Sequence, residues 1–132
     1  MFPALFLLDA VVTLCLISNT NQLVVFGGVR GNKWLNSLAV LDTLRWRWGQ
    51  PITTGDAPRP RSYHSSTVVQ SSGLVVIFGG NTSAQCFNTV HVLDTSDPDR
   101  FTWSHPKVSG TAPSPRTGHC AVLLDDGKTI LI

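Results

Sequence analysis

The sequence predicts an all-β chain assembled from repeated units of four short antiparallel strands. Leu74-Val75-Val76-Ile77-Phe78-Gly79-Gly80 is a short apolar run, rich in β-branched residues and closed by two glycines, which suits a strand buried on both faces better than a helix. The run recurs as Leu23-Val24-Val25-Phe26-Gly27-Gly28, and Leu41-Asp42 recurs as Leu93-Asp94, both after 52 residues. Pro60-Arg61-Ser62-Tyr63-His64 returns as Pro115-Arg116-Thr117-Gly118-His119 after 55 residues. A period of about 50 residues holding several short strands is that of a radial array of blades.

The elements follow in order. Aligning the di-glycines sets residues 13–17 opposite residues 65–69, so the first strand begins at Thr13. The same shift sets Val12 where His64 stands and Asp9 where Arg61 stands. The first unit therefore lacks the recurring Arg and His, and residues 1–12 are expected to come from an alternative start or a faulty gene model. The apolar stretch 4–18 has no Lys or Arg before it and no small-residue cleavage pattern; Asp9 interrupts it. It reads as neither a secretory signal nor a membrane span.

A polar turn at residues 19–21 leads to a second strand over 23–26. Gly27-Gly28 ends that strand, where glycine accepts a positive φ or a close backbone approach. After the loop 29–35, a third strand covers 37–41, Asp42-Thr43 begins a turn, and a fourth strand covers 45–48. Residues 13–49 thus form one unit. Residues 50–60 are a connector of Pro, Gly, Thr and Asp that cannot sit in a central strand. Residues 61–105 form a second unit, with a longer turn at 96–100 before Trp103. Residues 106–115 repeat the connector. In 116–132 a strand over 120–124, a hairpin turn at Asp125-Asp126-Gly127 and a strand over 129–132 make the first half of a third unit.

The di-glycine after an apolar strand, the strand ending in Asp, the downstream Trp and the Pro-Arg-x-x-His opening together resemble the kelch repeat. The resemblance implies an all-β, partial kelch-type β-propeller of four-stranded antiparallel blades, two complete and one half present. Propellers close with typically 4 to 8 blades. The chain is therefore expected to be a piece of a longer protein, or to need further blades or self-association to close a ring.

The motif residues Gly27, Gly28, Asp42, Trp48, Arg61, His64, Gly79, Gly80, Asp94, Trp103, Arg116 and His119 recur once per unit and are read as structural. Trp48 and Trp103 are expected to pack between blades, with Trp46 and Phe101, two residues earlier, on the same buried face. No G-x-G-x-x-G or Walker pattern surrounds the di-glycines, so a phosphate loop is not indicated. Arg61, His64, Arg116 and His119 also admit an acid–base reading, because His titrates near neutral pH. Loop residues that do not recur are the candidates for partner contact: Arg30, Lys33 and Trp34 after the first di-glycine, and Phe87 after the second. Aromatic plus cation is the makeup of interface hot spots; for Trp34 and Phe87, plain loop packing over the third strand is the competing reading. Asn81-Thr82-Ser83 matches a glycosylation sequon that matters only in a secreted chain.

Composition narrows the rest. With 14% charged and 42% hydrophobic residues among 132, the chain is expected to fold rather than remain disordered. Its net charge of +2 and scattered arginines argue against nucleic acid. Cys15, Cys86 and Cys120 have no C-x-x-C spacing; they read as small apolar residues in strands and a loop, consistent with a reducing, intracellular and cytoplasmic setting, with no metal site. The expected function is a non-enzymatic protein-interaction module without a cofactor or catalytic residue. The resemblance implies a scaffold or a substrate receptor, with a ubiquitin-ligase substrate, a cytoskeletal protein or a trafficking protein as partner, and no membrane. The alternative is a kelch-like propeller enzyme with a metal or small molecule at the central channel. That would need His, Tyr, Cys or carboxylates converging from several blades, and Tyr63 is the only tyrosine.

Overall fold

The computed structural model describes residues 13–132. The readings placed on residues 1–12 lie outside the described residues.

Alternating burial organises the strands. In the first sheet β1 (Thr13–Ile17), β2 (Gln22–Phe26), β5 (Leu38–Asp42) and β6 (Arg47–Gly49) run in the order β1-β2-β5-β6, all antiparallel. A small hairpin, β3 (Val29–Arg30) and β4 (Lys33–Trp34), projects from the loop after the first di-glycine. The second sheet holds β7 (Ile52–Gly55), β8 (Ser65–Val69), β9 (Leu74–Phe78), β10 (Val90–Asp94) and β11 (Arg100–Ser104) in the order β7-β11-β10-β9-β8. A last hairpin pairs β12 (Val122–Leu123) with β13 (Ile130–Leu131). All the strands are short and no helix is present among the described residues, as expected of partial kelch blades.

Period-2 side-chain alternation sends Cys15, Ile17, Val24, Phe26, Leu38 and Val40 of the first blade against Val75, Ile77, Leu93, Phe101 and Trp103 of the second. Val75, Leu93 and Phe101 are fully buried in this shared core. The Phe26 and Trp103 rings meet with centroids 4.9 Å apart. Leu74 and Val76, which alternate to the other face of β9, are only half-buried, although the run they belong to reads as apolar on both faces.

Two features depart from the sequence reading. The 50–60 connector supplies a strand, β7, which pairs parallel with β11 at the outer edge of the second sheet. Edge placement reconciles it with the nearby prolines. Trp46, expected in the core with Phe101, is instead 70% exposed. It lies in the turn before β6 with φ at 53°, so it does not share the alternation that buries Phe101. Asp42 shapes this turn: its carboxylate accepts the Leu44 and Arg45 backbone N–H groups, each at 2.9 Å, and pairs with the Arg45 guanidinium at 2.8 Å.

Candidate functional site

The register sorts the loops to two ends of the sheets. Phe78 pairs with both Ser65 and Val90, so both di-glycine loops and both Pro-Arg-x-x-His segments share one end, called here the upper rim. The turns after Asp42, Val69, Asp94 and Leu124 lie at the other end, the lower rim.

At the upper rim each di-glycine docks onto the Pro-Arg-x-x-His segment of the next unit. The Gly28 N–H donates to the Arg61 carbonyl at 2.8 Å, and the Gly80 N–H to the Arg116 carbonyl at 2.9 Å. The Arg61 and Arg116 N–H groups donate in turn to the Leu35 and Phe87 carbonyls, both at 3.1 Å. Gly27 is required by closeness as well as by conformation: at φ +67° a Cβ would lie 2.7 Å from the Arg61 carbonyl oxygen. His64 and His119 stand edge-on to Phe26 and Phe78, centroids 5.4 and 5.5 Å apart.

Arg61 is 1% exposed. Its Nη1 donates to the Gly79 carbonyl at 2.9 Å and to Thr89 Oγ1 at 3.2 Å, its Nε donates to the Arg59 carbonyl, and its guanidinium lies 4.2 Å from the Phe87 ring centroid. Burial, then the Arg59 charge, pulls its pKa down to about 10, which leaves it cationic at neutral pH. Carbonyl dipoles and a ring face thus replace a carboxylate partner. Burial, followed by the charges of Arg61 and His119, pushes the His64 imidazole down to about 4. Neither His64 ring nitrogen has a hydrogen-bond partner among the described residues. An imidazole held neutral and without a partner is poorly placed as a proton relay. His119 Nε2 lies 2.9 Å from Ser65 Oγ.

Phe87 requires a correction. It is 8% exposed under Arg61, so its ring packs the loop and offers no face to a partner. The shift of 52 already sets it where Leu35 stands; both residues close the loop by donating their N–H to the second glycine's carbonyl at 2.8 Å. Arg30 and Lys33 are exposed on the β3–β4 hairpin. Trp34 is half-buried, and its indole N–H donates to Ser62 Oγ at 3.1 Å.

That bond opens a polar chain across three units that the sequence reading missed. Ser62 Oγ donates to Asn81 Oδ1 at 3.5 Å, and Thr117 Oγ1 donates to the same oxygen at 3.1 Å. The available signal is the hydroxyl residue after Arg in both Pro-Arg-x-x-His segments, Ser62 and Thr117. Asn81 Nδ2 donates to the Thr82 carbonyl at 3.4 Å, so the sequon's amide is engaged on both sides.

At the lower rim, Trp48 lines a cleft of about 380 Å³ with Pro51, Ile52, Pro98 and Phe101. Trp48 is half-buried there, whereas Trp103 is 4% exposed in the core. Among the described residues no group of three or more His, Cys, Asp or Glu side chains could hold a metal ion. No helix among them is long and apolar enough to cross a membrane.

Comparison with known proteins agrees with this geometry. The chain is 38% identical over 110 residues to acyl-CoA-binding domain-containing protein 4 of Arabidopsis thaliana, covering 83% of this chain and 16% of that protein. It is 38% identical over 98 residues to the Rab9 effector protein with kelch motifs of Mus musculus, covering 74% of this chain and 26% of that protein. It is also 38% identical over 115 residues to the Rho GTPase-activating protein gacHH of Dictyostelium discoideum, covering 82% of this chain and 7% of the relative. The chain thus spans about a quarter or less of these relatives. The KLHDC2/KLHL20/DRC7 Kelch-repeats domain matches residues 9–132, and with its di-glycines docked on the Pro-Arg-x-x-His segments, the chain belongs to the kelch-repeat family.

Proposed function

We propose that this chain contributes to a non-enzymatic protein-interaction surface whose contacts are made by the upper-rim loops. One observation supports this above the others: the recurring Gly-Gly and Pro-Arg-x-x-His residues of the upper rim are consumed in blade junctions, while the loop tips differ. Arg30-Gly31-Asn32-Lys33-Trp34 of the first unit stands opposite Thr82-Ser83-Ala84-Gln85-Cys86 of the second. A repeated scaffold with divergent tips is the arrangement that a binding surface needs. Trp34 with Lys33 and Arg30 supplies an aromatic anchor flanked by cations.

The Rab9 effector among the relatives makes a trafficking protein the partner class first examined, with a cytoskeletal protein or a ubiquitin-ligase substrate next. In this reading the parent protein supplies further blades and works as a scaffold or substrate receptor inside the cell, without a cofactor or metal. Trp34→Ala is expected to weaken capture of the partner in a pull-down with the parent protein while leaving the fold intact. Capture that equals wild type would overturn the assignment of Trp34. A stoichiometric transition metal in the purified protein would favour catalysis instead.

A further inference from the structure

Charge is sorted between the two rims in a way that net charge conceals. Among the described residues, Arg30, Lys33, Arg59, Arg61, Lys107 and Arg116 stand on the upper rim against one carboxylate, Asp56. The lower rim carries Asp42, Asp94, Asp97, Asp99, Asp125 and Asp126 against Arg45, Arg47, Arg100 and Lys128. Among the described residues, formal charge is therefore +5 at the upper rim and −2 at the lower. The placement follows from register. The chain enters β7 at Ile52 beside Arg100 and leaves at Gly55 beside Trp103, which carries residues 56–61 upward. His105 Nδ1 lies 2.8 Å from the Val90 carbonyl, and Asn88 Nδ2 donates to the Pro113 carbonyl at 3.3 Å, which ties both ends of the 105–113 segment to the same rim.

The two rims also treat their charges differently. At the lower rim Asp42, Asp94 and Asp126 are tied into their own turns: Asp42 by Leu44, Arg45 and the Arg45 guanidinium, Asp94 by the Ser96 N–H, and Asp126 by Lys128 and Thr129. These bonds hold all three carboxyls below the usual range. On the upper rim Lys33, Arg59 and Lys107 are exposed, and no carboxylate among the described residues bonds them. They come from three successive loops: the first unit's hairpin, the segment entering the second unit, and the segment leaving it.

We propose that the upper rim docks an acidic, extended segment of a protein partner, with Lys33, Arg59 and Lys107 as the contacting cations. The inference deepens the interaction reading above and rests on it. Like-signed charges spread over successive loops attract an oppositely charged chain and speed its encounter. Trp34, pinned by Ser62, adds an apolar contact beside Lys33. An acidic partner would be oriented as well as attracted, because the lower rim repels it.

The test uses the parent protein and a fluorescein-labelled 12-residue Glu/Asp/Gly peptide, with a Gly/Ser/Gln peptide of equal length for comparison, read by fluorescence anisotropy. The acidic peptide is expected to bind with an affinity that falls as salt rises, and the neutral one not to bind. The triple variant K33E/R59E/K107E should weaken binding by about tenfold or more, since three exposed contacts reverse sign. R45E/R100E at the lower rim should leave it unchanged. No binding of the acidic peptide, or equal loss in both variants, overturns the proposal. Tighter, salt-sensitive binding of a single-stranded oligonucleotide of equal charge overturns it too, since the surface would then select phosphate. If a neutral partner is still captured in a Trp34-dependent manner, this inference alone fails. If capture is insensitive to both Trp34→Ala and the triple variant, the interaction reading fails with it.

Discussion

Replacing Gly27 by alanine tests the blade-junction argument most directly, because Gly31, four residues on, provides an internal control. Both glycines adopt the left-handed conformation, at φ +67° and +58°. Alanine there costs about 1 kcal/mol of backbone strain at either site. Their surroundings differ completely. A Cβ on Gly27 would meet the Arg61 carbonyl oxygen at 2.7 Å, the His64 ring at 3.1 Å and the Leu35 carbonyl at 3.4 Å, whereas a Cβ on Gly31 meets nothing within 4 Å. The Arg61 carbonyl is not free to yield, since it accepts the Gly28 N–H at 2.8 Å. Relieving the contact stretches that bond or separates the blades, at about 2 kcal/mol more. Gly27→Ala is therefore expected to destabilise by about 3 kcal/mol and Gly31→Ala by about 1 kcal/mol. Urea denaturation followed by tryptophan fluorescence reads the difference, since Trp103 sits against Phe26 in the core. At a slope of about 1.5 kcal/mol per molar urea, the two midpoints should separate by about 1 M. Equal midpoints would refute the idea that closeness, rather than φ alone, selects glycine at the junction.

Other outcomes follow from the same junction. Arg61→Met should cost about 3 kcal/mol, because it strips the buried Gly79 carbonyl of its charged donor and uncovers the Phe87 ring; a loss below 1 kcal/mol in the same denaturation would show the guanidinium to be dispensable. His64 is held neutral in the fold with its pKa down at about 4, so the unfolded chain, near 6.5, binds the proton more readily. Stability contributed by neutral His64 is then complete above about pH 6.5 and falls as pH drops towards 4, by about 2 kcal/mol at pH 5. His91, also pushed down to about 4 by burial first, adds to the slope in the same window. His64→Phe keeps an aromatic ring against Phe26 and loses no hydrogen bond, so it should reduce the pH 7.5 to 5 loss by about 2 kcal/mol; an unchanged slope would assign the titration elsewhere.

The sequence by itself determined the unit. The 52- and 55-residue recurrences mark the strands, and β-branched runs ended by glycine fix where they stop, because period-2 alternation and turn chemistry are local. The shift of 52 also held the answer for Phe87: standing opposite Leu35, it belongs to the repeat rather than to the variable loop tip. Tertiary structure decided what depends on a neighbour. The 50–60 segment looks like a connector until β11 offers it an edge, and a parallel partner 48 residues away leaves no local trace in the sequence. Trp46 and Phe101 occupy matching offsets before a tryptophan, yet one lies in a turn outside the core and the other is wholly buried. The separation of cations to one rim and carboxylates to the other is likewise absent from a net charge of +2. It exists only once antiparallel pairing has folded alternate loops to opposite ends.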